Sequence, residues 1–460
     1  MREIWYKRNG FFITNYPDLY MMSNILEQAK TASQEKNWSL VNQYLQQFLL
    51  ASQNTRVNLL ENADLDVVIN LAITVLKNGD FQEKWDIYKL FKQIGKPAIA
   101  PLIEMVQDED LDLEKRWFVV RILADFNSDK VREVLKDIII SSEAEDLQEI
   151  AADTLAVLGD SAVDILTDLL SKPDSRLLAT KALAKINSPS TITPLLTVVK
   201  DGDDEVRKNA ISALSNYYDS RLPFVLISAL KDTAAKVRKE AVIGLSIYAN
   251  LHEELGLVKL LQPLLWDINF EVCKQVAIAL GKIGTDTAAM ALFELLKTTN
   301  VPVFLKLDAV RALGWVETQV SVEYLQSLLG DNFLVAVEHQ PQVVNEIITV
   351  LGKIERQELK PKATEILIEF LRSNNSVLES VRVKNSLVLA LGYLGDIRAL
   401  DYLIQLLEEN DASVRLHCIA ALKQLDSERA YQQLIYLSQK SSIKSELKIG
   451  IATAIAEWNY

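Results

Sequence analysis

Four stretches of this chain superimpose without a gap: DDEVRKNAISALSNY (203–217), AAKVRKEAVIGLSIY (234–248), NFEVCKQVAIALGKIG (269–284) and DASVRLHCIAALKQL (411–425). Self-similarity at a period of roughly 20 to 50 residues decides an architecture before any other signal, because each copy is one supersecondary unit. In each copy a Val is followed, usually, by a basic residue. Small or branched apolar residues come four and seven positions after the Val, and Leu at the eighth. With that last apolar residue as anchor, the series runs Phe91, Leu123, Leu155, Leu183, Leu214, Leu245, Leu280, Leu313, Leu351, Leu391, Leu422 and Ile455, at spacings between 28 and 40. Twelve anchors predict about a dozen units.

The spacing inside a unit sets its secondary structure. Val206, Ala210, Ala213, Leu214 and Tyr217 fall at i, i+4, i+7, i+8 and i+11, one stripe of a 3.6-residue helix. Small residues in that stripe let a neighbouring helix come close. An apolar segment precedes each such helix, as in PLLTVVK (194–200), PFVLISALK (223–231), MALFELLKT (290–298) and LDYLIQLLEE (400–409). Pro101, Pro194, Pro223 and Pro263 lie near the starts of these first helices, where a missing N–H costs nothing. Gly95, Gly159, Gly284 and Gly395 follow second helices, as left-handed caps do. Each unit is therefore a first helix, a tight turn, a second helix and a cap. One hairpin cannot bury both apolar faces, whereas stacking on the next copy does, so the fold class is an all-α solenoid. Strand signals are absent throughout.

The pattern D(x)nVRxxAxxAL, in Asp201–Leu214, Asp232–Leu245 and Asp411–Leu422, resembles HEAT repeats, specifically the short HEAT-like type named for phycobilisome lyases. The resemblance covers about residues 83–457 and is weakest in the units ending at Phe91, Leu351 and Ile455. It implies a superhelix whose second helices line the inner curve. It also implies a ladder of charges, an acid before each second helix and a base at its second position. The matching acids are Asp110, Asp201, Asp232, Asp267 and Glu409; the bases are Arg116, Arg176, Arg207, Arg238, Lys306, Lys384 and Arg415. Gln148, Cys273 and Val344 interrupt it. These charges read as structural staples rather than catalytic groups.

Residues 81–460 are thus expected to form the repeat solenoid with a C-terminal capping repeat, and 23–80 an atypical helical N-terminal cap with helices around 39–52 and 63–77. Residues 1–22, aromatic and broken by Gly10 and Pro17, read as a flexible tail, with Met21 or Met22 as an alternative start and an aromatic docking segment as the functional alternative. No apolar run approaches the roughly 18 residues of a membrane span, and the opening lacks a signal-peptide core. Two cysteines, Cys273 and Cys418, support neither a disulfide framework nor a zinc cluster, and a reducing, cytoplasmic setting is expected.

With 49 Lys+Arg against 62 Asp+Glu, the net charge of −13 argues against nucleic acid or anionic lipid as the main partner. Between 104 and 168 there are 18 Asp+Glu against 6 Lys+Arg, a field that would steer a basic partner protein. Phosphate cradles, nucleophile elbows and HExxH zinc sites are missing. Of three histidines only His252 stands in a His-Glu pair, His252-Glu253, whereas the HEAT-repeat deoxyhypusine hydroxylases use several such dipeptides to hold two irons. His417 and Cys418 are adjacent on a helix, about 100° apart, and so do not chelate together. Cys418 reads as a core thiol, and Cys273 as semi-exposed in a ladder position. Trp117 and Trp266 are expected in packing roles unless the structure exposes them on the inner face.

No metal, cofactor or catalytic residue is predicted. Positions five and two before each anchor face away from the hairpin core. The first of these columns reads Asn209, Glu240, Gln275, Asp308, Glu346, Ser386 and His417, polar and different in every unit. Such a column suits an extended protein partner, so the expected function is a non-catalytic interaction scaffold or assembly factor. The lyase resemblance implies the alternative, handling of a bilin for attachment to a phycobiliprotein, which calls for aromatic and basic groups that this column lacks. Extra sequence at 330–342 and 372–381 marks candidate recognition loops.

Overall fold

The computed structural model describes residues 16–54, 62–330, 340–373, 375–440 and 442–458, and among them the chain is helical without a strand. The chain forms two compact units, Met1–Leu214 and Ser215–Tyr460.

The first unit contains α1 (Tyr16–Gln34), α2 (Trp38–Asn54), α3 (Asn62–Asn78), α4 (Phe81–Ile94), α5 (Ile99–Gln107), α6 (Leu113–Leu123), α7 (Asp129–Ser141), α8 (Glu145–Val157), α9 (Val163–Leu170), α10 (Pro173–Lys185), α11 (Ile192–Thr197) and α12 (Asp204–Leu214). The second contains α13 (Leu222–Ala229), α14 (Ala235–Leu245), α15 (His252–Leu255), α16 (Leu257–Leu261), α17 (Phe270–Ile283), α18 (Asp286–Lys297), α19 (Val303–Val316), α20 (Gln319–Leu328), α21 (Pro341–Gly352), α22 (Lys360–Arg372), α23 (Val381–Leu394), α24 (Leu400–Gln405), α25 (Ala412–Ser438) and α26 (Ser445–Trp458). Short 3-10 turns extend several first helices. Asp426, at φ −163° and ψ 94°, divides α25 into the second helix of one hairpin and the first helix of the next.

Helix formation starts at Tyr16, ahead of the expected boundary near residue 23, and Met22 is buried at 4% exposure. Residues 1–15 lie outside the described residues. In the expected cap region the third helix, α3, packs on α4 as the first helix of the unit anchored by Phe91, while α1 and α2 pack on each other ahead of it.

Anchors Phe91 through Leu422 are all buried at 0% exposure, which for each Leu is worth ~1.5–3 kcal/mol. The last unit departs from the expectation. Ile455 is only half-buried, and Ile451 and Ala454 are buried at 0%, so the true anchor is Ala454, one residue earlier. The shift brings Gly450 to the small-residue position, where a Cβ would overlap the carbonyl of Leu407. The four expected glycine caps all have positive φ, between 67° and 80°.

A second use of glycine controls helix spacing. Gly281, Gly314, Gly352 and Gly392 each come directly after an anchor, in α17, α19, α21 and α23, which pack successively on one another and on α25. A Cβ at these positions would stand 2.9 Å from the Ala312 carbonyl oxygen, 2.8 Å from Val350 Cβ, 2.5 Å from Ala390 Cα and 2.9 Å from Ala421 Cβ, each atom on the next second helix. Side chains could not fill that seam without moving the helices apart.

Candidate functional site

The charge ladder uses two kinds of contact. Within a unit, several bases donate to the backbone carbonyl six residues earlier, whereas Arg116 reaches the Val106 carbonyl. Arg207 reaches the Asp201 carbonyl at 2.7 Å, Arg238 that of Asp232 at 2.7 Å and Arg415 that of Glu409 at 2.7 Å. Between units, the carboxylate takes the base of the preceding hairpin: Arg176 with Asp201 at 2.6 Å, Lys384 with Glu409 at 2.6 Å, and Arg238 with Asp267 through two bonds of 2.7 Å. Arg238 and Asp267 expose only 11% and 5% of their side chains. Burial alone pushes the Asp267 carboxyl up, but the Arg238 guanidinium and the Asn269 N–H outweigh it and hold the group below its usual range.

Two expected interruptions are corrected. Gln148 donates to the Ser142 carbonyl at 2.7 Å and the Cys273 thiol to the Asp267 carbonyl at 3.2 Å, both six residues back, so each keeps the inner contact and drops only the ionic one. Cys273 is not semi-exposed but buried at 1%, and burial pushes its thiol up. Where the cation is missing, the acid of the next rung is missing too: Gln148 is followed by Leu170, Cys273 by Asn300 and Val344 by Leu378. A buried carboxylate left without its cation is costly, which accounts for the joint loss. Asp110 stays exposed, and Lys84 pairs instead with Glu114 at 2.7 Å. Lys306 is buried at 1% and has no hydrogen-bond partner among the described residues; burial pushes its ammonium group down. The corresponding acid position of the next unit, Glu338, falls outside those residues, as does His339.

The predicted polar column is half-buried along its length. Its members are largely occupied by neighbours. Asn209 donates to the Glu205 carbonyl at 2.8 Å, and His417 Nδ1 lies 2.6 Å from that of Ser413. Glu240 lies 3.8 Å from the Lys239 ammonium. Arg311 grips Glu346 in the next helix through bonds of 2.9 and 3.1 Å, and reaches Asp308 at 3.3 Å. Gln275 and Ser386 are half-buried among them. Of these contacts only the Arg311–Glu346 pair joins two helices, and the others stay within one.

The open positions lie beside it. In the second unit, Phe304, Trp315, Tyr393 and Leu416, all on second helices and away from their buried stripes, are exposed at 51%, 55%, 59% and 57%. The signal that would have found two of them is a recurrent Leu-Gly-X at the anchor, with X being Lys282, Trp315, Lys353 and Tyr393 in four consecutive hairpins. Trp266 is exposed at 54%, beside Ile268 at 94%, on the turn before α17. In the first unit, Trp117 is half-buried, and the Arg121 guanidinium lies 5.0 Å from its ring and 5.5 Å from that of Trp85. That arrangement is a cation held between two indoles.

The other singled-out residues fall in separate places. Cys418 is fully buried, and burial pushes its thiol up to about 12. His252 and Glu253 line a cleft of about 530 Å³ with Lys259, Asp286 and Met290. Among the described residues no three His, Cys, Asp or Glu side chains gather as a metal site, and no helix is long and apolar enough to cross a membrane. Of the two candidate loops, 331–339 lies outside the described residues, whereas 376–379 forms a 3-10 turn with Leu378 buried.

The family model for HEAT repeats matches residues 171–246, 222–307 and 378–456. No curated protein sequence matches the chain. Among solved structures, a mutant of Kap121p is similar at a TM-score of 0.55 and 12% identity, over 94% of this chain and 53% of its own. Importin beta is similar at 0.50 and 13%, over 96% of this chain and 71% of its own. The complex of CpcE and CpcF of phycocyanin lyase from Nostoc sp. aligns at 0.30 and 21%, over 59% and 96%. This chain spans just over half the length of Kap121p, and the likeness is one of fold. With hairpins at the repeat's period, its small-residue seams and its matched segments, the chain is an all-α solenoid that carries HEAT repeats over residues 171–307 and 378–456.

Proposed function

We propose that this protein is a non-catalytic scaffold of the cytoplasm that binds a partner protein along the open face of its second helices. The observation that carries this reading is the set of exposed large apolar side chains on second helices of the second unit, Phe304 and Trp315 on α19, Tyr393 on α23 and Leu416 on α25. Isolated exposed apolar residues need no explanation, but several on the second helices of one unit supply the aromatic anchors that protein interfaces use. The half-buried charges around Arg311 would keep that face rigid, so that a partner meets a preformed surface. Affinity purification of the full chain from its native host, followed by mass spectrometry, tests the reading. A stoichiometric protein partner is expected, and recovery of the chain alone at near-native concentration would refute it.

A second reading, handling of a bilin or a phycobiliprotein, is favoured by one observation: Arg121 between Trp85 and Trp117 offers the aromatic and cationic pairing that a propionate-bearing pigment would use. A visible tetrapyrrole absorption band in the purified protein is the expected result under that reading, and a featureless spectrum after incubation with bilin would remove it.

A further inference from the structure

We infer that the Leu-Gly-X column of the second unit is the docking line for an extended acidic segment of the partner protein, read in a register of alternating carboxylate and apolar side chains. The inference rests on the scaffold reading and specifies its partner. The four X residues occur in the order Lys282, Trp315, Lys353, Tyr393, one per second helix from α17 to α23. All four are exposed, and the preceding glycines bring their helices together at contacts a Cβ would not tolerate. Neither lysine has an ion-pair or hydrogen-bond partner among the described residues, whereas Asp308 and Glu346 on the same helices are already held by Arg311. The line therefore presents two exposed cations without an ion-pair partner among the described residues, on a chain whose net charge is −13. A lysine in a last helical turn also complements the helix dipole, but the dipole gives no reason for Trp315 and Tyr393 to stand 55% and 59% exposed in the same column.

The geometry sets the register. Packed helices stand ~8–10 Å apart, and an extended chain advances ~3.3 Å per residue, so one hairpin matches roughly three residues. The recognised sequence carries an acid, an apolar residue, an acid and an aromatic at intervals of about three residues. Protein rather than single-stranded nucleic acid is the occupant, because two free cations flanking two rings do not neutralise a phosphate every few ångströms against the field of an acidic chain.

The test uses the full chain and a fluorescein-labelled decapeptide with Glu at positions 1 and 7, Leu at 4 and Phe at 10, Gly and Ser elsewhere, with a scrambled peptide of equal composition and oligouridylate as competitors for the assignment. Anisotropy is expected to show binding of the ordered peptide at least tenfold tighter than of the scrambled one. That preference is expected to disappear in W315A and in the K282E/K353E double variant, and to persist in K231E, a lysine off the line. Equal binding of the two peptides, an unchanged preference in K282E/K353E with native circular dichroism, or tighter binding of oligouridylate would each overturn the inference. The same variants separate it from the scaffold reading: a native partner recovered equally by wild type and K282E/K353E sinks the docking line alone, and no recovered partner with wild type sinks the scaffold.

Discussion

Replacing Gly352 by Ala tests the glycine seam most directly. In a helix interior the change ordinarily stabilises by ~0.5–1 kcal/mol, since Ala loses less backbone entropy on folding. Here the new Cβ would stand 2.5 Å from both Cα and Cβ of Ala390 in α23. Carbon atoms in contact prefer ~3.5–4.0 Å, so the two helices must separate by roughly an ångström. The atoms in the way belong to a helix backbone and its first carbon, which no rotamer change can move. Overpacking of this kind costs ~1–3 kcal/mol, and the upper part of that range applies because the obstruction is rigid. The net expectation is a loss of ~1–2 kcal/mol, or a melting temperature lower by about 2–8 °C for a unit of this size. Thermal melts followed at 222 nm, with hydrogen exchange across 381–394, give the readout. Gly202, which has open space around its Cβ direction, provides the control, and G202A is expected to change stability by less than about 0.5 kcal/mol. A G352A protein that melts at or above the wild-type temperature would refute the seam as the determinant of helix spacing.

R238A leaves the 5%-exposed Asp267 without its cation and is expected to cost ~3–5 kcal/mol. In the wild type the Asp267 pKa is depressed, so the pair's contribution is complete above the unfolded value near 3.9 and is lost as pH falls through the folded one; in R238A burial, opposed only by the Asn269 N–H, raises the carboxyl, so the deficit is expected to narrow between pH 7 and pH 4, and a pH-independent deficit contradicts the assignment. K306M removes a buried amine with a lowered pKa and is expected to stabilise by ~1–3 kcal/mol at pH 7. Because the unfolded chain binds the Lys306 proton more tightly, wild-type stability rises with pH as the unfolded pKa near 10.4 is approached, and the K306M advantage is expected to shrink there; an equal or growing advantage at pH 10 would count against a buried amine with a lowered pKa. Cys418, with its thiol pushed up to about 12, is expected to resist thiol reagents in the native protein at pH 8 for hours and to react on unfolding; labelling within seconds would show that the site opens.

The repeat, the hairpin within it and the anchor residues were all written in local periodicity. A 3.6-residue stripe can be buried only by a neighbour of the same kind, which is why Phe91 through Leu422 could be named from spacing alone. The base and acid positions of the ladder were legible for the same reason, but their wiring was not. That Arg207 bonds a carbonyl of its own hairpin while Asp201 takes Arg176 of the preceding one depends on how far one hairpin is displaced from the next, a distance that the pattern within a single unit does not contain. Gln148 and Cys273 seemed to break the ladder because charge was the visible property, whereas the contact they preserve needs only a donor of suitable reach.

The candidate face divides along the same line. Periodicity placed Asn209 through His417 on the side of the second helices away from their own hairpins, but it could not tell that close neighbours would cover half of each side chain. The glycines after the anchors set how closely α17, α19, α21 and α23 approach, and Trp315 and Tyr393, one residue beyond them, stand exposed. Local sequence alone determined which residues turn inward, since one helix suffices to define its own apolar stripe. Which outward residues remain open to a partner was decided only by the tertiary structure, because exposure depends on the distance to the next helix and that distance is set by atoms in another repeat.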